Sequence, residues 1–372
     1  MKMLESESKE ILENYGIDTP KSGGSELVVK AQVQTNNRAE KGLVKFASGR
    51  EEAERKADEI RGEKFPGRQV DDVLIEEKVD HDSDFYVSFI YDTDVRSPVM
   101  AFSREGGSGI EDREASKLKL EENQEFRFRE FLQERGFEGK ELVKLASTLS
   151  DLFEVFLEED ARLLEVNPLG STEDGFLALD AMMETDDDAS YRHSRNLPDR
   201  SDLGREKTKL ERRAEKIDED DHRGVAGKYT ELEGDIGMML AGGGASLTNM
   251  DALIEAGGKP ANYTEYGGNP PTEKVYRLSK VVMDRELRGL WHVGGTANNT
   301  DIYRTMKGFV QALEEENPDY PIVIRRDGPN ADRAFEMLRE KRKELDIEMK
   351  LYRNDTPMTK TAESLMEMIE DE

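Results

Sequence analysis

The second half of the chain, from Glu231 onward, alternates between short apolar runs and helical patterns. Strands that alternate with helices in this way form βα units, which pack as a parallel sheet with helices on both faces. The alternation therefore predicts a doubly wound α/β domain over residues 231–372. The apolar runs end in small or polar turns, which read AGGGAS, EYGGNPP, GGTANNT, RRDGPN and RNDTPMT.

These turns are expected at one edge of the predicted sheet, because the carboxyl ends of parallel strands lie together and ligands bind there. In Leu290–Asp301, an apolar run ends in two glycines and a helical pattern follows, so a helix N-terminus that favours an anion is predicted. Asn298 and Thr300 could bind that anion, or they could cap the helix, which is the more common use of either side chain. Gly267 and Gly268 would let an anion approach the backbone of their own turn, because they lack a Cβ.

Arg325 and Arg326 end the fourth strand of this half, and the alternation of side chains along a strand points them to opposite faces. One arginine could support the fold while the other faces the ligand crevice and binds a carboxylate bidentately. A surface arginine at a strand end is the plainer alternative, and the residue pattern leaves both open.

The first half, residues 1–190, predicts an α+β domain with antiparallel strands, because its short apolar runs are separated by acidic turns. It begins with a helical pattern over Met1–Tyr15 that stops at Gly16. Lys30 lies within the apolar strand Glu26–Val33. A lysine there either faces an anion such as phosphate or extends into solvent from an edge strand.

A predicted hairpin near the end of this half contains Glu165, Asn167 and Asp180. Asn167 and Asp180 lie on strands that fold back on each other, so their side-chain oxygens can converge. An amide and a carboxylate oxygen suit Mg²⁺, which leaves its other positions to water and phosphate. An acidic hairpin without a metal is the simpler alternative.

Residues 191–230 are rich in charge and poor in apolar side chains, and this composition is typical of a linker with room for one exposed helix. The sequence thus predicts a domain at 1–190, a charged linker at 191–230 and a second domain at 231–372.

The 372 residues include 54 Lys and Arg against 82 Asp and Glu, a net charge of −28. Such a charge argues against nucleic acid and anionic membrane surfaces as partners, since both attract basic proteins. The acidic residues are spread along the chain, which favours a halophilic protein whose self-repulsion is screened in a high-salt cytoplasm. An ordinary acidic soluble protein is the alternative.

The sequence contains no cysteine and four histidines, and it shows neither a zinc-ligand spacing nor a Ser/His/Asp arrangement. No pattern therefore predicts an activated nucleophile. The lack of cysteine suits an intracellular chain. No apolar run approaches the length of a membrane span and the N-terminus lacks a signal-peptide pattern, so we expect a cytoplasmic location.

Several motifs of this chain are characteristic of one family. The most specific are LLEVNPL, AGGGAS, ANYTEYGG, GGTANNT and RRDGPN, and the weaker ones are LVVK, FYV and EGG. On these motifs the chain resembles the β-subunit of succinyl-CoA synthetase. It is more closely similar to the corresponding N-terminal part of ATP-citrate lyase and to citryl-CoA synthetase relatives. The resemblance runs from about Glu26 to the C-terminus.

The resemblance implies an ATP-grasp domain followed by a flavodoxin-like CoA-ligase domain. It implies an enzyme that converts ATP, a carboxylate and CoA into acyl-CoA, ADP and phosphate through an acyl phosphate and a phosphohistidine. The phosphohistidine and most of the CoA site would belong to a partner chain similar to an α-subunit or a citrate synthase, which agrees with the missing nucleophile. A hetero-oligomer that is active only with this partner is expected.

The resemblance also implies roles for residues of the first domain. Lys30 would contact the nucleotide phosphates and Glu76 would form part of the adenosine hinge. Asn167 and Asp180 would hold Mg²⁺, and Glu165 would be the catalytic glutamate that faces the incoming phosphohistidine. The residues implied at ATP are Lys30, Arg38 and Glu76.

In the second domain, the arginine pair separates two branches of the family. In succinyl-CoA synthetases the second residue of the pair is apolar, whereas in the citrate-using branch it is an arginine that binds a citrate carboxylate. Here that residue is Arg326. A tricarboxylate has more anionic groups than a dicarboxylate, so the added guanidinium favours citrate over succinate. The residues implied at citrate are Gly267, Gly268, Asn298, Thr300 and Arg326.

We therefore predict the ATP-grasp subunit of an ATP-citrate lyase or a citryl-CoA synthetase. One alternative is the β-subunit of a succinyl-CoA synthetase or of another ADP-forming acyl-CoA synthetase. A second alternative is a non-catalytic binding subunit, because the glycine-rich phosphate loop of the family is replaced by Asn36–Gly42, in which only Arg38 and Gly42 are kept. The lost glycines restrict the approach of the backbone to phosphate, and Glu40 would repel it.

Overall fold

A computed structural model describes residues 1–33, 35, 38–65, 68–107, 109, 115–194, 200, 205–219 and 221–370. The chain divides into two compact units, Met1–Gly204 and Arg205–Glu372. No helix in these described ranges is long and apolar enough to cross a membrane.

The described residues of the first unit form four α-helices and a set of antiparallel strands. The helices are α1 (Glu5–Asn14), α2 (Arg50–Arg61), α3 (Glu125–Gln133) and α4 (Gly139–Glu158). The strands are β1 (Glu26–Ala31), β2 (Val44–Ser48), β3 (Lys64–Phe65), β4 (Arg68–Gln69), β5 (Val73–Glu77), β6 (Ser83–Asp92), β7 (Ser97–Ser103), β8 (Ser116–Lys119), β9 (Ala161–Ser171), β10 (Phe176–Ala178) and β11 (Ala181–Thr185). A 3₁₀ turn follows at Asp187–Arg192.

Two larger sheets organise the described part of this unit, and β3 and β4 form a separate two-stranded sheet. A three-stranded sheet has the order β2–β1–β5, and a six-stranded sheet has the order β10–β9–β6–β7–β8 with β11 also paired to β9. The pairings within both sheets are antiparallel, as predicted. Phenylalanines of β6 and α4 pack against each other under the larger sheet, where the rings of Phe89 and Phe153 lie 5.5 Å apart.

The second unit is the predicted doubly wound sheet. Its helices are α5 (Lys209–Glu215), α6 (Gly243–Glu255), α7 (Thr272–Met283), α8 (Ile302–Glu316), α9 (Ala331–Glu344) and α10 (Met358–Glu370). Its strands are β12 (Val225–Glu231), β13 (Ile236–Ala241), β14 (Asn262–Gly267), β15 (Gly289–Thr296), β16 (Ile322–Asp327) and β17 (Met349–Tyr352). The strand order is β12–β14–β13–β15–β16–β17. The strands from β13 to β17 pair in parallel, and β12 is antiparallel to β14.

Helices cover both faces of this sheet. Buried side chains of α7, α8 and α9 belong to one hydrophobic cluster, and those of α6 and α10 belong to another. Along β15, Leu290 lies in the first cluster, whereas Trp291 and Val293 lie in the second. This period of two follows from the pleat of a strand, and it explains why an almost uninterrupted apolar run is buried on both sides.

Side chains complete the pairing between β13 and β14. The buried Asn262 accepts a hydrogen bond from the backbone N of Met238 (3.1 Å) and donates one to the Met238 carbonyl (2.8 Å). Thr264 accepts from the backbone N of Leu240 at 3.0 Å. These contacts satisfy buried backbone groups, and they fix the carboxyl ends of the two strands side by side.

The predicted linker is largely part of the second unit. Helix α5 falls within residues 191–230, strand β12 runs from Val225 to Glu231, and the second compact unit begins at Arg205. Ion pairs and capping order this stretch: Glu211 pairs with Arg205 at 2.7 Å and accepts from the backbone of Thr208 and Glu231. A reading based on apolar periodicity misses such a segment, because its contacts are made by charged side chains.

Candidate functional site

The first unit contains a cavity of about 670 Å³. Residues from α1, β1, β5, β9 and the turn before β11 line it. The structure brings together at this cavity all the first-domain residues predicted to function, namely Lys30, Arg38, Glu76, Glu165, Asn167 and Asp180.

Two of these residues are cations that face carboxylates. The ammonium of Lys30 lies 2.8 Å from Glu5 and 2.5 Å from Glu76, and it donates to the Leu179 carbonyl at 2.7 Å. Burial alone would lower the pKa of Lys30, but these carboxylates outweigh burial and raise the pKa above its usual value. The lysine therefore stays charged inside the cavity, as an anion-binding group must.

Arg38 bridges two carboxylates. Its Nη2 lies 2.6 Å from Glu5 Oε2 and 2.6 Å from Asp180 Oδ2, while Nη1 donates to the Ala31 carbonyl at 3.0 Å. Burial opposes the charge, but Glu5 and Asp180 outweigh it and raise the pKa of Arg38 above its usual value. Arg38 is thus fixed beside Asp180, one of the two residues predicted to hold Mg²⁺.

Glu76 is buried and faces lysines. Lys9 of α1 donates to both of its carboxylate oxygens, at 2.9 and 2.7 Å, and Lys30 lies 2.5 Å from Oε1. A contact between the Glu76 carboxylate and a nucleoside would require one of these ion pairs to open. We name the whole group the cavity cluster, and it consists of Glu5, Lys9, Lys30, Arg38, Glu76 and Asp180. Its three carboxylates balance its three cations.

Asn167 and Asp180 are joined through their backbones, and both line the cavity. The backbone N of Asn167 donates to the Asp180 carbonyl at 3.1 Å, and the Asn167 side chain accepts from the backbone N of Gly107 at 2.6 Å. The Asp180 side chain is 35% exposed. Burial of part of this group and the neighbouring Glu5 raise its pKa, and Arg38 partly opposes them. No group of three or more His, Cys, Asp or Glu side chains suited to a metal occurs in the described part of the chain.

Glu165 is half-buried on β9 and also lines the cavity. The hydroxyl of Tyr86, on the neighbouring strand β6, donates to Glu165 Oε2 at 3.2 Å. This contact holds the carboxylate on the cavity side of the sheet, two residues from the predicted magnesium ligand Asn167 on the same strand.

A second site lies at the carboxyl edge of the second unit, where Arg326 ends β16. Arg326 is only 2% exposed. Its guanidinium carbon lies 5.5 Å from the ring centre of Tyr266, and its Nη1 occupies the space over Gly294, where a Cβ would come within 1.9 Å. Among the described residues no carboxylate pairs with it, and its buried Nε has no hydrogen-bond partner. A buried charge without a partner is costly, so this site fits an anionic ligand.

Arg325 serves the fold. Its Nε donates to the Thr356 carbonyl at 3.1 Å and its Nη1 to the Gly294 carbonyl at 2.9 Å. The two arginines therefore point to opposite faces, as the alternation predicts. Of the two arginines, Arg326 is therefore the one whose guanidinium can bind a ligand.

The other predicted citrate residues lie on the turns beside this arginine. Gly267 ends β14, and Gly268 follows with a φ of +66°, which a side chain would strain. Asp301, and not Asn298 or Thr300, caps α8 by accepting from the backbone N of Arg304 at 3.1 Å. Asn269 accepts from the backbone N of Asp301 at 3.1 Å, so the two turns are in contact. Asn298 is exposed and Thr300 is buried at this edge.

His292 lies deeper in the same unit. It is fully buried, its Nε2 is 2.7 Å from the Tyr266 hydroxyl, and its ring packs on Phe309 at 4.6 Å. Burial and the nearby Arg326 lower the pKa of His292 well below its usual value. It is therefore a neutral core histidine that supports Tyr266 under the arginine.

Two family models match this chain. The model described as ATP-grasp domain matches residues 2–171, and the model described as ATP citrate lyase citrate-binding matches residues 205–368. The first match includes most residues that line the cavity but ends before Asp180, and the second includes Arg326 and its neighbouring turns.

Curated relatives match almost the whole chain. The β-subunit of ADP-forming succinate–CoA ligase from Methanocaldococcus jannaschii is 31% identical, over 91% of this chain and 94% of that protein. The chain belongs to the succinate–CoA ligase β-subunit and ATP-citrate lyase family. The β-subunit of GDP-forming succinate–CoA ligase from Thermus thermophilus is 33% identical over 92% and 94% of the two chains.

A solved structure of this family has the same fold. It is ATP citrate lyase from Methanothrix soehngenii in complex with citrate and coenzyme A, with a TM-score of 0.74 and 26% identity. The match covers 92% of this chain and 87% of that chain. The chain is thus a succinate–CoA ligase β-like subunit with an ATP-grasp domain, related to ATP-citrate lyase.

In this family member, sequence reasoning misses two residues of the cavity cluster. Glu5 and Lys9 are one helical turn apart on α1 and both are buried. Their spacing on the face that also carries Ile11 and Leu12 is the signal that could have found them, because ionisable residues on a buried helix face need partners.

The segment that replaces the glycine-rich phosphate loop is Asn36–Gly42, and the structure describes residues 38–42 of it. Asn36 and Asn37 lie outside the described residues. Arg38, which the family pattern keeps, lies in the cavity cluster, whereas Glu40 is exposed. Within the described part of the loop, the acidic substitution therefore lies away from the buried cations.

Proposed function

We propose that this chain is the ATP-grasp subunit of a citrate-activating enzyme, either an ATP-citrate lyase or a citryl-CoA synthetase. With ATP, Mg²⁺ and CoA, the complex would convert citrate into citryl-CoA, or further into acetyl-CoA and oxaloacetate, and release ADP and phosphate. A partner chain similar to an α-subunit or a citrate synthase would supply the phosphohistidine and most of the CoA site. We place this hetero-oligomer in the cytoplasm.

The observation that carries the choice of citrate is the buried guanidinium of Arg326, which has no carboxylate partner among the residues that the structure describes. It lies at the carboxyl edge of a parallel sheet, where ligands of such folds bind. The match of residues 205–368 to the citrate-binding model supports the same ligand. A bidentate contact from Arg326 to one carboxylate would leave the others to the backbone at Gly267 and Gly268 and to Asn298 and Thr300.

The cavity of the first unit would bind the nucleotide. Lys30 and Arg38 are charged, buried and close to a common carboxylate, so they are suited to orient phosphate oxygens as a polyphosphate enters. In phosphoryl transfer the protein acts chiefly by positioning and electrostatic stabilisation. Glu165 would face the phosphohistidine of the partner, and Glu76 would contribute to the adenosine end of the cavity.

The donors at Asn167 and Asp180 fit Mg²⁺. One partly exposed carboxylate and one amide oxygen are a typical protein contribution, because Mg²⁺ takes its remaining ligands from phosphate and water. When bound, the metal would neutralise charge that develops on the transferred phosphoryl group. Asp180 and Asn167 would hold it, with the Asn167 amide oriented by the backbone of Gly107.

Succinate is the second candidate substrate. The curated relatives reported above are succinate–CoA ligases, so the overall likeness alone does not choose citrate. Citrate has three carboxylates and succinate has two, and the Arg326 guanidinium would bind the additional carboxylate of citrate.

Calorimetric titration of the wild-type chain with citrate and with succinate, in high salt, tests the choice. We expect citrate to bind more tightly, and we expect Arg326→Leu to weaken citrate by about 10- to 100-fold, since a hydrogen bond to a charged group contributes about 1.5–3 kcal/mol. Succinate affinity should change far less. Lys307→Leu, which removes an exposed cation of α8, is the matched control. Tighter binding of succinate than citrate, or equal losses for both acids, would contradict the proposal.

A non-catalytic binding subunit is the third candidate, because the phosphate loop departs from the family pattern. Titration with Mg-ATP, first of this chain alone and then of its complex with the partner, separates the two cases. We expect binding that is lost in Lys30→Met, because this change removes a buried cation from the cavity. Wild-type protein that binds no Mg-ATP in either titration would favour the non-catalytic reading.

A further inference from the structure

We propose that Glu5 of α1 is a positioning residue. It holds the Arg38 guanidinium in the nucleotide site when the Asp180 carboxylate coordinates Mg²⁺. This inference rests on the proposed binding of Mg-ATP in the first unit. The N-terminal helix α1 would therefore contribute a residue that positions the nucleotide-binding side chains. Glu5 would act through Arg38 and would not itself touch the nucleotide.

The first step is the geometry of Glu5. Its side chain is 2% exposed, and its two oxygens divide between the cations. Oε1 faces Lys30 and Lys9, each at 2.8 Å, and Oε2 faces Arg38 at 2.6 Å. No other carboxylate in the described part of the cavity contacts both of the cations proposed to bind phosphate.

The second step is the difference between the two carboxylates that share Arg38. The Nη2 atom lies 2.6 Å from Glu5 Oε2 and 2.6 Å from Asp180 Oδ2. The Asp180 side chain is 35% exposed, whereas that of Glu5 is 2% exposed. A hydrated metal ion therefore has access to Asp180 and not to Glu5. If the Asp180 carboxylate coordinates the metal and no longer contacts the guanidinium, Arg38 keeps its contacts with Glu5 and the Ala31 carbonyl.

The third step follows from removing the Glu5 charge. Lys9 and Lys30 would each keep Glu76 as a partner, so these cations lose little. Arg38 would keep Asp180 as its only carboxylate among the described residues. The guanidinium would then bind Asp180 more strongly and compete with Mg²⁺ for it, because two cations cannot share one small carboxylate without repulsion.

The experiment is calorimetric titration of the full chain with ATP at a series of MgCl₂ concentrations. We expect Glu5→Gln to raise the Mg²⁺ concentration for half-maximal ATP binding by about tenfold, the effect of one charge-assisted hydrogen bond. The affinity for ATP without metal should change less than about threefold. A purely structural role would instead weaken ATP binding equally with and without Mg²⁺.

Glu7→Gln is the matched control, since Glu7 lies on the same helix and pairs with Arg200 outside the cavity cluster. It should leave the Mg²⁺ dependence unchanged. Should Glu5→Gln not fold, Glu5→Asp keeps the charge and withdraws the carboxylate by one methylene, and a smaller rise in the same direction is expected. Wild-type Mg²⁺ dependence in the folded Glu5 variant overturns this inference alone. Wild-type protein that binds no ATP overturns the proposed function as well.

Discussion

At the residue scale, Gly294 makes room for the guanidinium of Arg326. A Cβ at this position would lie 1.9 Å from Arg326 Nη1 and 2.8 Å from the Cβ of Ala241. Gly294→Ala must therefore displace the arginine or push β15 away from β13. We expect citrate affinity to fall by about tenfold or more, and the free energy of unfolding to fall by about 1–3 kcal/mol, as overpacking usually does.

Gly295→Ala provides the control, because nothing lies within 4 Å of a Cβ built at the next residue. Citrate titrations of both variants, with chemical unfolding followed through Trp291, give the two quantities. Trp291 is the single tryptophan and is buried in the second unit, so its fluorescence reports on the unit proposed to bind citrate. Unchanged citrate affinity in Gly294→Ala would show that the position of Arg326 is not needed for binding.

At the element scale, different residues at the start of α8 cap the helix and are proposed to bind the ligand. Asp301 accepts from the backbone N of Arg304, so Asp301→Ala should lower the free energy of unfolding by about 1 kcal/mol. Thr300 is buried and is not the N-cap of α8. Thr300→Val should therefore change stability by less than about 0.5 kcal/mol and weaken citrate. Trp291 fluorescence and calorimetry measure the two effects, and a stability loss in Thr300→Val as large as that in Asp301→Ala would argue against this separation.

The same element shows what a sequence pattern can and cannot predict. Alternation along β16 correctly places Arg325 and Arg326 on opposite faces, since the period of a strand is fixed by its backbone. The identity of the cap at α8 is not predicted, because Asn298, Thr300 and Asp301 are all good caps and the last turn of the loop decides among them. Tertiary contact, here between Asn269 and Asp301, selects the residue.

At the scale of the whole molecule, the βα alternation and the antiparallel first half are predictable because apolar periodicity records which faces are buried. The segment from Arg205 to Glu231 is not, because Glu211 and Arg205 order it through ion pairs. Glu5 is missed for the same reason: its partners Lys30 and Arg38 are distant in sequence. Periodicity can mark a charged residue on a buried helix face, as on α1, but it does not identify the distant partner that stabilises the charge.

The net charge of −28 makes a prediction for the molecule as a whole. Repulsion among exposed carboxylates destabilises the compact state, and salt screens it as the Debye length falls from about 30 Å at 0.01 M to about 3 Å at 1 M. We expect the Tm at pH 7 to rise by several degrees as KCl is increased over this range. At pH 5, near the sequence pI of about 4.7, fewer net charges remain to be screened, so the rise should be much smaller. Calorimetric scans at the two pH values measure how the Tm rises with KCl concentration at each pH. An equal rise at both pH values would mean that salt acts through hydrophobic burial and not through the acidic surface.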